Sequence, residues 1–152
     1  MSSKPSNCHD LHIADLKAMQ DFASRLAAAL QADDWLLLEG QMGAGKTTLV
    51  RSLVAALGGD ERLVSSPSYA LMNGYTCQLP LWHVDAWRMS SDEDFDNLGL
   101  DELGQGAVVV VEWPSRIPAL STLNAWRLDI EVCSADERRL SLHVPIGRIW
   151  HG

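Results

Sequence analysis

A chain of 152 residues with 47% hydrophobic and 21% charged side chains can build one core and one compact domain. Its formal net charge of −8 excludes unaided gripping of DNA or RNA, which takes a basic face, and no apolar run nears the ~20 residues that span a bilayer. Cys8, Cys77 and Cys133 are odd in number and lack metal-type spacing, and no secretory signal is visible, which together point to reduced thiols in the cytoplasm.

Residues 1–10 read as a flexible N-terminus and 11–152 as a single domain. Leu16, Met19, Phe22, Leu26 and Leu30 recur at helical spacing behind Asp15, which predicts an amphipathic first helix whose apolar stripe is core. Trp35-Leu36-Leu37-Leu38 predicts a buried strand. Leu49, Val50, Leu53, Val54 and Leu57 predict a second helix over 47–57, stopped by Gly58-Gly59. Ser65 to Tyr69 is a loop around Pro67, and 69–75 and 81–84 predict short strands. A short acidic helix opens at Ser90-Ser91-Asp92-Glu93 and runs through Leu98, with serine at the cap and carboxylates at the favourable end of the dipole. Ala107 to Val111 is a continuous apolar strand. Trp126, Leu128, Ile130 and Val132, then Leu140, Leu142 and Val144, alternate with polar residues and predict a β-hairpin. A β-α-β start followed by strands with little helix between them predicts an α/β fold. Its sheet should be mixed, parallel near the second helix, antiparallel toward the C-terminus, and flanked by helices.

Between the first strand and the second helix, Gly40-Gln41-Met42-Gly43-Ala44-Gly45-Lys46-Thr47 fits G-x-x-x-x-G-K-[ST], the phosphate-binding loop of nucleoside triphosphatases. Glycines let the backbone curl so that successive N–H groups, those of Gly43, Ala44 and Gly45 among them, and the helix N-terminus point at phosphates. Lys46 then reaches the β- and γ-phosphates, and the Thr47 hydroxyl serves a bound Mg²⁺. Thr48 is placed to donate to the α-phosphate, unless it is only a helix-internal threonine. An accidental Gly-rich turn is the competing account, and the strand before and helix after the loop speak against it.

Mg²⁺ wants hard oxygen ligands, and an acid at the end of a buried strand beside the loop supplies one. Glu112, closing 107–111, fits that position, and Asp85, after Leu81-Trp82-His83-Val84, fits either the metal shell or a water-orienting role. Which of the two touches the ion stays open, as does a plain Asp85–Arg88 surface pair. Ser66 and Ser68 offer hydroxyls to the γ-phosphate or the ion, although turn chemistry alone accounts for them. Trp113 adjoins Glu112, precedes Pro114 and so belongs at the site rim, whereas His83 reads as a satisfied core histidine.

The segments GQMGAGKTT (40–48), SSPSYALM (65–72), HVDAWR (83–88) and VVVEWP (109–114), in this order in a small chain, resemble the bacterial tRNA threonylcarbamoyladenosine biosynthesis TsaE family over about residues 10–145. The loop alone is shared by many families; the other three segments are more specific. The resemblance implies a small cytoplasmic P-loop ATPase using ATP and Mg²⁺. It implies support of threonylcarbamoyladenosine formation at position 37 of tRNAs reading ANN codons, in a complex with TsaB and TsaD that alone meets the tRNA. It implies that Lys46 and Thr47 hold phosphates and metal, that Glu112 ligates Mg²⁺, that Asp85 assists, and that Ser68 and Trp113 lie near the nucleotide. Gln41, Ser68 and Trp87 stand where the family usually has Asp, Thr and Tyr. Ser68 keeps a hydroxyl, Trp87 keeps an aromatic ring, and Gln41 removes a charge from the loop rim.

Two alternatives remain at this stage. A small-molecule P-loop kinase needs an acceptor pocket and usually an arginine-bearing lid, and no arginine-rich segment is apparent. A nucleotide-binding assembly regulator without hydrolysis would not need Thr47, Asp85 and Glu112 together.

Overall fold

The computed structural model describes residues 7–65 and 71–152. Seven strands make one sheet: β1 (Cys8–Ile13), β2 (Trp35–Gly40), β3 (Met72–Tyr75), β4 (Leu81–Asp85), β5 (Val108–Glu112), β6 (Trp126–Val132) and β7 (Arg138–His143). Their order is β1-β7-β6-β2-β5-β4-β3. β4, β5, β2 and β6 run parallel, while β3, β7 and β1 are antiparallel to their neighbours. The expected α/β mixed sheet is therefore what forms.

Two long helices, α1 (Leu16–Ala29) and α2 (Lys46–Ala56), pack on one face of the sheet against Leu36, Leu38, Val108, Val110, Leu128 and Leu140. Asp15 caps α1 by accepting from the Ala18 amide at 2.9 Å, and the predicted stripe of Met19, Phe22 and Leu26 is buried. At the other end Arg148 donates to the Ala29 carbonyl and to Asp34, clasping the last turn of α1 from the C-terminal segment. The opposite sheet face, carrying Leu37, Val109 and Val111, is covered by the short helices α3 (Asp92–Asp96) and α4 (Leu100–Leu103) and by 3₁₀ turns at Pro114–Arg116 and Pro118–Thr122. With cover on both sides, every residue of β5 is buried, which is why its sequence is a continuous apolar run rather than an alternating one.

Three local expectations change. The loose terminus expected through residue 10 stops earlier, because Cys8–Asp10 belong to β1 and pair with β7. β1 is an edge strand with Cys8, Asp10 and His12 facing away from the helices, so its one-sided apolar content gives a weak signal. The strand expected over 69–75 is seen from Met72; Tyr69 and Ala70 lie outside the described residues. The acidic helix carries the expected serine cap, at Ser91, but ends at Asp96, two residues earlier than expected, and Gly99, at φ 72°, caps the separate α4.

Candidate active site

The end of β2 is cut close to its neighbour. A Cβ on Gly40 would lie 3.0 Å from the Ile130 carbonyl oxygen and 3.2 Å from the Ala44 Cβ, so only glycine lets the loop leave the strand there. Gly45 meets no steric limit but adopts φ 107°, which turns the chain into the first turn of α2. From β7, Arg138 donates Nε–H to the Ala44 carbonyl at 2.8 Å and fixes the loop from behind. Sequence reasoning missed this contact, because Arg138 reads as one of a charged pair beside a turn.

Lys46 begins α2 and is only 6% exposed. Its ammonium donates to the Gly40 carbonyl at 2.6 Å and sits 3.7 Å from the centre of the Trp113 ring. Burial pushes its pKa below the usual lysine range, and Glu112, Glu39 and Asp85 oppose that shift through their charge. Among the described residues no carboxylate comes within 4 Å of it to form an ion pair. The cation is thus desolvated and held by a carbonyl and an indole face, with its charge left for an incoming anion.

Across from the loop, parallel pairing places Asp85 directly beside Glu112 at the ends of β4 and β5. Asp85 is the more open acid, and its Oδ1 accepts from the Trp87 amide at 2.9 Å, while Oδ2 has no hydrogen-bond partner among the described residues. Glu112 is 5% exposed and its Oε2 meets His83 Nε2 at 2.5 Å. His83, two residues before Asp85 on the same strand face, is fully buried, and its Nδ1 has no partner among the described residues. The expected core histidine is buried as anticipated, but its one hydrogen bond goes to a site acid. Only the cross-strand register brings them together, so neither residue alone signals it.

Trp113 follows at φ 59°, a left-handed conformation rare outside glycine. The turn it makes is tied down by Glu39, whose carboxylate accepts from the Ser115 amide at 2.8 Å. In this pose the Trp113 ring lies 4.5 Å from that of Trp87, and Arg116 stacks over Trp87 at 4.3 Å. Glu39 and Arg116 were not singled out from sequence. Glu39's position just before the loop is a signal, while Arg116 offers none.

These groups enclose a cleft of about 400 Å³, a size ordinary for a small-molecule site, with Gly43, Gly45, Lys46, Thr47, Thr48, Asp85, Trp87, Arg88, Glu112 and Trp113 in its walls. Thr48 also faces a smaller recess on the other side of the loop, toward α1 and Arg138. Ala44 is buried beneath the loop rather than in the cleft wall, with its carbonyl held by Arg138. Ser68 and Ser66 lie outside the described residues. The structure therefore brings together Lys46, Thr47, Asp85, Glu112 and Trp113 from three separate segments.

The donor set is hard oxygen throughout: one hydroxyl and two carboxylates. Among the described residues no cluster of three or more His, Cys, Asp or Glu forms a protein-only metal cage. A hydroxyl and two carboxylates suit an ion of the Mg²⁺ kind, which keeps waters and takes one or two carboxylates together with ligand phosphates.

Comparison with known proteins follows the same lines. Residues 13–140 match the family model described as "Threonylcarbamoyl adenosine biosynthesis protein TsaE". A Bacillus subtilis protein named tRNA threonylcarbamoyladenosine biosynthesis protein TsaE is 37% identical over 122 residues, covering 78% of this chain and 75% of the relative. The protein of that name from Streptomyces coelicolor is 35% identical over 139 residues, covering 87% and 93%. The crystal structure of YdiB from Bacillus subtilis superposes with a TM-score of 0.73 at 27% identity, covering 94% of this chain and 89% of that one, so the fold is P-loop NTPase-like.

Proposed function

This chain belongs to the TsaE family of threonylcarbamoyladenosine biosynthesis proteins, and from that membership and the cleft we propose that it is a Mg²⁺-dependent ATPase. It supports formation of threonylcarbamoyladenosine at position 37 of tRNAs reading ANN codons. It works in the cytoplasm in complex with TsaB and TsaD, which supply the tRNA contact that a chain of net charge −8 is poorly suited to make alone.

One observation carries this reading. A desolvated lysine at a helix N-terminus faces two carboxylates set side by side by strand register. In the proposed reaction, backbone N–H groups of 43–45 and the first turn of α2 bind the phosphate tail. Lys46 leaves the Gly40 carbonyl to meet the β- and γ-phosphates, and the Thr47 hydroxyl and Glu112 hold the metal. Magnesium, when bound with the nucleotide, neutralises charge that builds on the phosphate oxygens. Asp85 uses its free oxygen to orient the attacking water, and Trp113 and Trp87 wall the cleft against bulk solvent. Ser68 is assigned to the γ-phosphate side of the site. Arg88, in the cleft wall, is the chain's own candidate for a cation on the transferring group. With a single such residue, turnover is expected to be slow until partners bind.

Phosphate release by the purified chain, titrated with the TsaB–TsaD pair, tests the proposal. Release should be slow alone and rise with the pair. Lys46→Ala should lower it about 10²–10³-fold, the usual effect of deleting one charge-stabilising group. Native turnover in Lys46→Ala, or transfer of the phosphoryl group to a nucleoside instead of water, would reject it.

A further inference from the structure

His83 occupies a place where an apolar residue is the cheaper choice. Its neighbours on the same faces of β4 and β5, Leu81, Val108 and Val110, are almost completely buried hydrophobics. A buried polar pair adds little stability over well-packed apolar residues, and among the described residues this one also leaves Nδ1 without a partner. The structure gives something in exchange: the contact runs to Glu112, one of the two acids in the cleft wall.

We infer that His83 is a positioning residue that fixes the side chain of Glu112 for the ion. With Glu112 ionised, as a metal ligand must be, its carboxylate only accepts, and in the 2.5 Å contact Nε2 is the donor and Oε2 the acceptor. Glutamate has three side-chain torsions, and a hydrogen bond to a ring that is itself locked in a packed strand removes that freedom. Among the described residues no other donor reaches the Glu112 carboxylate, so Oε1 remains as the oxygen free to face the cleft. Outer partners of this kind orient metal-binding carboxylates, and their loss typically weakens the metal about 10–100-fold. The inference rests on the metal role proposed for Glu112 but is separable from it by experiment.

The probe is Mn²⁺, titrated into the protein saturated with ADP and followed by electron paramagnetic resonance, with ADP affinity in EDTA measured alongside. His83→Leu should weaken Mn²⁺ at least tenfold while leaving metal-free ADP affinity within twofold. His83→Gln, which offers an amide N–H near the place of Nε2, should recover Mn²⁺ binding to within about threefold. In a Glu112→Gln background the leucine change should add less than twofold. Native Mn²⁺ affinity in His83→Leu, no recovery in His83→Gln, or an undiminished effect in the double variant would each overturn the inference. If His83→Leu does not fold, His83→Asn replaces it, since its amide lies near Nδ1; equal affinities of the Asn and Gln variants then overturn it. A wild-type protein that binds neither ADP nor Mn²⁺ would defeat the nucleotide reading itself, and the inference with it.

Discussion

On one side of β2 the sheet continues through β5 and β4, parallel and covered on both faces; on the other side it continues through β6, β7 and β1, where one face is left open. The covered half ends in chemistry. The C-terminal ends of β2, β4 and β5 deliver the phosphate loop, Asp85 and Glu112-Trp113 to a single cleft, as open α/β sheets do. The open half carries Asp129, Glu131 and Arg139 in solvent and sends no residue of β6 or β7 into that cleft. Its contribution is support: Arg138 holds Ala44, and Trp126 fills the core beneath α1. The site half keeps a buried lysine and a buried His–Glu pair at a cost in stability, while the other half stabilises the fold.

The most severe way to test this division is Trp126→Ala. Trp126 is fully buried and also donates to Asp34. Truncation should cost about 3–5 kcal/mol, read as a fall in Tm of roughly 10 °C or more for a chain of this length. A loss below about 1.5 kcal/mol would mean that the hairpin half is not a major support.

A smaller effect of opposite sign is expected in the site half. Lys46→Met should stabilise the ligand-free protein by about 1 kcal/mol, because it removes a desolvated cation while keeping the length of the side chain. The pH dependence sharpens this. Burial holds the folded pKa of Lys46 below 10.5, so between the two values the unfolded chain binds more protons and native stability rises with pH. Denaturation followed from pH 7 to 10.5 should show that rise in the wild type and a smaller one in Lys46→Met. Equal slopes would contradict the account of Lys46.

The smallest effect belongs to the open face. Asp129 is raised above 3.8 by burial, with His143 opposing and Glu39 adding to the shift. Its stabilising term is therefore present below 3.8 and lost as pH rises through the folded value. Since the side chain is 60% exposed, solvent screening keeps the effect under about 0.5 kcal/mol. Asp129→Asn should stabilise by a few tenths at pH 7 and show no gain at pH 3 in urea melts. A gain at pH 3 equal to that at pH 7 would contradict the assignment.

The two halves were also unequally legible. Alternation in 126–132 and 138–144 announces the hairpin, and the unbroken Val108–Val111 announces a strand buried on both faces. The loop announces itself by Gly40, Gly45, Lys46 and Thr47. What the chain does not reveal is whatever depends on neighbours distant in sequence. The placement of β6 next to β2, the pairing of β1, the Arg138–Ala44 contact and the His83–Glu112 contact are of that kind. His83 shows the difficulty well. Its apolar surroundings are visible in the sequence, but the acid it touches lies 29 positions away on another strand.

The side-by-side placement of Asp85 and Glu112 has a consequence for how this protein tolerates insertions and deletions. Both acids owe their location to a ladder in which Leu81 faces Val108 and Asp85 faces Glu112. A deletion inside β4 that slid the strand by a single step would bring Val84 or Ala86 to the place of Asp85 and turn the strand's other side chains to the opposite face, so the acid and the packing would be lost together. A length change at the Ser134–Glu137 turn would spare that ladder but disturb Arg138, which donates to the Ser134, Ala135 and Glu137 carbonyls and through Nε–H to Ala44 in the loop.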